Sequence, residues 1–188
     1  VNVYCCFDNE EVGSNTKQGA MSTFLKDVLH RINNGLHKTE EEYYQAIAKT
    51  FLVSCDNAHA LHPNHPEKTD AVNYVTMNGG IVIKESANQK YTTDAFSRAL
   101  FTGVCQNVNV PVQSFANRSD VVGGSTLGNL SNTQVSVHAV DFGLAQLAMH
   151  SCFETAGVKD TEYAIVALKE FYETNVQTEE AESVCLEK

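Results

Sequence analysis

FLVSCD, Phe51 to Asp56, is a short apolar run that ends in a single aspartate. Apolar and β-branched residues at this length predict a buried strand. GGIVIKES, Gly79 to Ser86, and VSVHAVDFG, Val135 to Gly143, have the same character. Segments whose apolar residues recur at helical spacing lie before, between and after them. Strands that alternate with helices predict an α/β fold with a sheet covered on both faces.

The remaining pattern extends this prediction over the chain. Two further strands are predicted at Val1–Phe7 and Asn109–Asn117, and 118–132 is predicted as a long glycine-rich loop. Predicted helices cover Ala20–Asn33, Thr39–Thr50, Asp94–Val108, Leu144–Ala156 and Asp160–Thr174. We therefore expect a three-layer α/β/α sandwich with a central mixed sheet, incomplete at its N-terminal side. Residues 1–174 are expected to form one domain, and 175–188 an acidic, frayed tail.

Composition excludes several classes of protein. A formal charge of −10 argues against nucleic-acid binding, which needs a basic surface. No apolar run is long enough to span a membrane. The six cysteines form no CxxC pair, so they are expected to be reduced thiols of a cytoplasmic protein. The chain opens on Val1 in a predicted strand, which suggests a fragment or a processed chain.

An acidic cluster follows the first predicted strand. FDNEEVGS, Phe7 to Ser14, contains Asp8, Glu10 and Glu11. Carboxylates this close repel one another, so the segment is either a solvated turn or the site of a cation, and both interpretations remain open. Asp56 and His150 also follow predicted strands, and carboxylate with imidazole is the ligand set of zinc. If a metal binds, one glutamate can hold it while the other acts as a general base.

Five motifs, in order, carry a resemblance to a known family. FDNEEVGS, SCDNAHALHPN, GGIVIKESANQKYTTDA, NRSDVVGGSTLG and VDFGLAQLAMHS resemble the catalytic-domain signatures of the aspartyl aminopeptidases, which are cytosolic two-metal exopeptidases. The resemblance extends from Val1 to about Thr174. It implies that 1–174 is the C-terminal part of a catalytic domain that removes N-terminal Asp or Glu from peptides. It also implies homo-oligomers, with dimers that build a dodecamer when the protein is full length.

The resemblance also assigns roles to individual residues. Glu10 would be the general base that activates a metal-bridging water, and the metal ligands would be Glu11, Asp56 and His150. The cofactors would be two divalent metal ions, with zinc expected and cobalt or manganese as alternatives.

Substrate residues are implied in the same way. Lys84 matches a lysine that meets the acidic side chain of the substrate, and His62 matches a histidine near the substrate and the subunit contact. The loop containing Gly124, Ser125 and Thr126 matches one that lines the pocket for the first residue. His59, His62 and His65 are not expected to form a separate metal site.

The family pattern requires two further ligands, a histidine and a bridging aspartate, that would precede Val1. We therefore expect the 188-residue chain alone to bind metal weakly and to hydrolyse little. Two alternatives stay open: a related two-metal aminopeptidase of different specificity, and a non-catalytic assembly subunit.

Overall fold

The central element of the fold is a four-stranded mixed sheet. The computed structural model describes residues 1–180 and 183–187. Its strands are β1 (Phe51–Cys55), β2 (Ala58–His59), β3 (Ile81–Glu85), β4 (Val112–Ala116), β5 (His138–Gly143), β6 (Ala145–Leu147), β7 (Thr155–Ala156), β8 (Asn175–Glu180) and β9 (Ser183–Glu187). The order in the central sheet is β1-β5-β3-β4. β1 is parallel to β5, β3 is antiparallel to β5, and β4 is parallel to β3. The fold class is α/β, as predicted.

Helices contact both faces of the central sheet. Their bounds are α1 (Phe24–Gly35), α2 (Glu40–Ala48), α3 (Ala95–Asn107), α4 (Leu127–Ser131) and α5 (Val158–Glu173). Thr39 with Glu42 three residues on is the sequence pattern of a capping box, and the structure has this box at the start of α2. Within the described ranges, no helix combines the length and apolarity that a membrane crossing needs.

The two faces of the sheet are buried against different layers. On one face α3 and α5 pack on β3 and β5, where Phe101 lies 5.1 Å from Phe142, centroid to centroid, and both are fully buried. On the other face α4 contacts β1 and β5, with Gly128 against Asp141 and Ser54. A second cluster that includes Val82 lies on that face. A small sheet of order β2-β6-β7 completes the fold there.

A buried carboxylate fixes the start of α5. Asp160 is fully buried and accepts hydrogen bonds from the backbone N–H groups of Asn78 at 2.6 Å and Gly80 at 2.9 Å. These bonds tie the first turn of the helix to the chain that enters β3. Charge-assisted bonds of this kind are stronger than those between neutral groups.

Four predicted elements differ from the structure, and the fourth is the loop predicted at 118–132, in which Leu127–Ser131 form α4 after an N-cap at Thr126. Val1–Phe7 forms no strand, because an extended segment becomes a strand only when a neighbour pairs with its backbone. Leu144–Ala156 is not a helix but β6, a turn and β7, since Ala145 pairs with Ala58 and Ala156 pairs with Gln146.

The third difference is the C-terminal tail, which forms a β8–β9 hairpin. Val176 pairs with Leu186, and both pack against the main core, which explains why this acidic segment is ordered. Residues 181, 182 and 188 of the predicted frayed tail lie outside the described residues.

Candidate active site

A tight turn presents the two adjacent glutamates. Glu10 and Glu11 begin a short 3-10 helix, Glu10–Val12, that starts after Asn9 and ends at Gly13. Both flanking residues have left-handed backbone, with φ of 60° at Asn9 and 99° at Gly13. The turn is closed by hydrogen bonds from Gly13 N–H to the Glu10 carbonyl and from Ser14 N–H to the Asn9 carbonyl, both 2.9 Å. The asparagine and glycine of FDNEEVGS are therefore needed for the turn itself.

His150 meets this turn from the other end of the chain. Its Nε2 lies 2.8 Å from Glu11 Oε2, and the two side chains are 65% and 70% exposed. His150 has a φ of 69°, and its backbone N–H donates to Glu154 Oε1 at 2.6 Å. The left-handed turn, and not a helix as predicted, aims the imidazole at Glu11. An exposed pair of this type stabilises the fold by about 1 kcal/mol at most.

Asp56 and Lys84 form the buried half of the site. Asp56 follows β1 and Lys84 lies on β3, where it is only 3% exposed. The Lys84 ammonium donates to Asp56 Oδ2 at 3.0 Å, to the Asp56 carbonyl at 3.3 Å and to the Asn57 carbonyl at 3.0 Å. It also lies 4.8 Å from the centroid of the Tyr91 ring, in a cation–π contact.

Electrostatic coupling joins these two halves. The pKa of Glu10 is raised, first by burial and then by the negative charges of Asp56 and Glu11, while Lys84 and His150 oppose the rise. A carboxylate with a raised pKa is a stronger base than a surface glutamate, as general-base catalysis requires. The charges of Glu11, Asp56, Lys84 and His150 therefore all act on Glu10.

His59, which the sequence did not single out, is coupled electrostatically to this cluster. Burial lowers its pKa, and the positive charges of His150 and Lys84 lower it further. It lies on β2, directly after the Asp56 segment. The signal in the sequence was its position three residues after Asp56, within the motif SCDNAHALHPN.

Apart from Lys84, the predicted substrate residues lie on two loops with their own contacts. His62 Nδ1 accepts from the Asn64 N–H at 3.2 Å. Ser125 Oγ donates to Asn129 Oδ1 at 2.8 Å, Thr126 is buried, and Gly124 has open space where a Cβ would be. The roles of these residues toward a substrate stay predictions.

A cavity of about 700 Å³ lies between the loops at 61–74 and 118–120. Leu61, next to His62, lines it, but Glu10, Glu11, Asp56, Lys84 and His150 do not. The chemistry of the site is therefore in the charged cluster and not in this cavity.

The donor chemistry of the cluster fits zinc. Two carboxylates and an imidazole from separate turns are typical of catalytic metal sites, and the Glu11–His150 contact already joins two of them. In residues 1–180 and 183–187, no group of three potential ligand side chains stands ready to hold an ion. The third candidate ligand, Asp56, is instead paired with the Lys84 ammonium, as described above.

A protein-family model matches most of the chain. Residues 1–172 match the model described as aminopeptidase I zinc metalloprotease, M18. The chain belongs to the M18 family. The resemblance of the five motifs to an aminopeptidase family is thus confirmed.

Named relatives agree with this assignment. The chain is 49% identical over 171 residues to a probable M18 family aminopeptidase 2 of Clostridium novyi (strain NT), covering 91% of this chain and 40% of the relative. It is 43% identical over 180 residues to aspartyl aminopeptidase 1 of Schizosaccharomyces pombe. This match covers 96% of this chain and 38% of the relative. The M18 chain therefore spans about 40% of the length of these relatives.

Solved structures share the fold. One, of the Ape4 and Nbr1 complex, has a TM-score of 0.85 at 43% identity and covers 89% of this chain and 32% of its own. Another solved structure is that of an S. cerevisiae mApe1 dodecamer, with a TM-score of 0.76 at 28% identity. The match covers 89% of this chain and 36% of the mApe1 chain.

Proposed function

We propose that the protein, at its full length, is a two-metal aminopeptidase that removes Asp or Glu from the N-terminus of peptides. The observation that carries the proposal is the contact of Glu11 with His150 at 2.8 Å, on the turn that also holds Glu10, in a chain that matches the M18 family. Support for the acidic substrate comes from Lys84 and from relatives named aspartyl aminopeptidase. The location is proposed to be the cytoplasm, and the assembly a homo-oligomer, because a structural neighbour is a dodecamer.

Each residue contributes a separate part of the chemistry. Glu11, Asp56 and His150 would hold metal ions, with zinc as the expected element from the family description. Two divalent ions, when bound, supply Lewis-acid polarisation of the scissile carbonyl. Glu10 takes the proton of the attacking water and returns it to the leaving amine, a role suited to its raised pKa. Lys84 provides a positive charge for the acidic side chain of the substrate. Substrates with a neutral N-terminal residue lack this interaction and therefore bind less well.

A second specificity is favoured by one observation. All three N–H donors of Lys84 are already used by Asp56 and Asn57. If they stay there, the lysine is structural and the enzyme is a related aminopeptidase that accepts neutral residues. Comparing hydrolysis of Asp-linked and Leu-linked chromogenic amides by the full-length protein distinguishes the two.

Glu10→Gln tests the general base. In the full-length protein with zinc added, we expect kcat to fall by about 10²–10⁴-fold while zinc affinity is retained. The matched control is Glu41→Gln, an exposed residue of α2, which should leave kcat unchanged. Full activity in Glu10→Gln would refute the mechanism.

The 188-residue chain alone is a further test. We propose that it binds zinc weakly and hydrolyses neither amide, since its three candidate ligands, Glu11, Asp56 and His150, are fewer than two metal ions require. Hydrolysis by this chain alone would show that Glu11, Asp56 and His150 suffice as ligands.

A further inference from the structure

The Lys84 ammonium is the counter-ion of Asp56. An ammonium has three N–H donors, and here they go to one carboxylate oxygen and two backbone carbonyls at 3.0–3.3 Å. The lysine side chain is 4% exposed and that of Asp56 28%. A buried ammonium without these acceptors would be costly, so the pair is held firmly.

The three acceptors of the Lys84 ammonium differ in how easily they can move away from it. The carbonyls of Asp56 and Asn57 belong to a backbone that is tied to the sheet, with Asp56 N–H donating to the Phe142 carbonyl at 2.9 Å. The carboxylate of Asp56 is on a side chain that can rotate. If another cation takes this carboxylate, the ammonium keeps its two carbonyls and the Tyr91 ring but has one free N–H.

We propose that Lys84 and a divalent cation compete for the carboxylate of Asp56, and that cation binding frees one ammonium N–H to bind an anionic group. The inference rests on the proposed function and adds an order of binding. Asp56 binds its metal first, and only then does Lys84 bind the acidic side chain of a substrate. Because binding free energies are reciprocal, an acidic ligand at Lys84 in turn strengthens cation binding.

Zinc titration by calorimetry, on the full-length protein, tests the competition without measuring catalysis. Lys84→Met removes the competing charge and should bind zinc about tenfold more tightly than the wild type. Lys84→Arg keeps the positive charge, so its zinc affinity should stay within about twofold of that of the wild type. Lys26→Met, an exposed lysine on α1, is the control for the loss of one positive charge and should also stay unchanged.

The outcomes separate clearly. Unchanged or weaker zinc binding in Lys84→Met overturns the proposal, as does an equal gain in Lys26→Met. Should Lys84→Met fail to fold, Lys84→Gln keeps donors toward Asp56 without the charge and should show the same gain.

The coupling itself is tested with free aspartate and leucine, which share the α-amino and α-carboxyl groups. The ratio of their affinities isolates the side-chain carboxylate. Zinc should raise this ratio about tenfold in the wild type and leave it unchanged in Lys84→Met. If the affinity ratio is the same with and without zinc, the coupling is overturned, even if the enzyme cleaves peptides. If the ratio depends on zinc but no peptide is cleaved, the result counts against the proposed function alone.

Discussion

Gly143, the last residue of β5, lets the backbone of Asp56 approach the sheet. A Cβ built on Gly143 would lie 2.0 Å from the carbonyl oxygen of Asp56 and 2.7 Å from Cα of Asn57. Real Cβ atoms essentially never come closer than 3.0 Å, so in Gly143→Ala the two segments must separate by 3.0 − 2.0, about 1 Å.

Both segments are held by backbone hydrogen bonds, so the separation cannot be absorbed by a flexible side chain. Asp56 N–H donates to the Phe142 carbonyl and Ala58 N–H to the Leu144 carbonyl, each at 2.9 Å. Overpacking costs about 1–3 kcal/mol and a weakened hydrogen bond about 1 kcal/mol more. We expect Gly143→Ala to lower the free energy of unfolding by about 2–4 kcal/mol. If the full-length protein is the proposed aminopeptidase, a 1 Å shift of Asp56 should also lower its kcat/KM by about 100-fold.

Urea denaturation followed by circular dichroism measures the first effect. The control is Gly35→Ala at the end of α1, where an added Cβ meets no atom within 4 Å. This control should be unchanged or more stable by up to about 1 kcal/mol. If Gly143→Ala unfolds within about 0.5 kcal/mol of the control, the close approach of Asp56 does not constrain the fold and the reasoning is wrong.

Three further predictions concern the scaffold. Asp160→Asn should lower the free energy of unfolding by about 2 kcal/mol, because a neutral amide cannot accept both buried N–H bonds as strongly; exposed Glu162→Gln on the same helix is the control. Phe101→Ala should cost about 3–5 kcal/mol in urea unfolding, whereas Phe153→Ala, 82% exposed, should cost under about 0.5 kcal/mol. Cys105 is fully buried, and burial raises the pKa of its thiol to about 12, so little thiolate forms at pH 8. It should react with a disulfide reagent only on unfolding; labelling of the native protein at this position, located by mass spectrometry, would contradict the burial.

Local signals in the sequence were sufficient for most of the scaffold. The apolar runs at β1, β3 and β5 and the capping box at Thr39 depend on neighbouring residues only, and the structure confirms them. Leu144–Ala156 was predicted wrongly because its apolar spacing also suits a helix. The strand pairing of β6 with β2 and β7, which no local pattern encodes, decided its conformation.

The site could be predicted only in part for the same reason. The residue types and their positions after strands identified Glu11, Asp56 and His150 as candidates, and the structure brings Glu11 and His150 into contact. The Asp56–Lys84 pair joins two strands that are not neighbours in the sheet, since β5 lies between them. Spacing along the chain gives no information on such a contact.

The two halves of the site differ in how the fold holds them. Asp56 and Lys84 are positioned by the central sheet, and moving either one requires breaking backbone hydrogen bonds or a buried ion pair. Glu11 and His150 lie on exposed left-handed turns and are joined by an ion pair that stabilises little. Local opening therefore separates Glu11 from His150 before it disturbs Asp56. Metal ligands drawn from both halves would transfer the rigidity of the sheet to the turn, and would thereby fix Glu10, the proposed base, which lies on that turn and not on a strand.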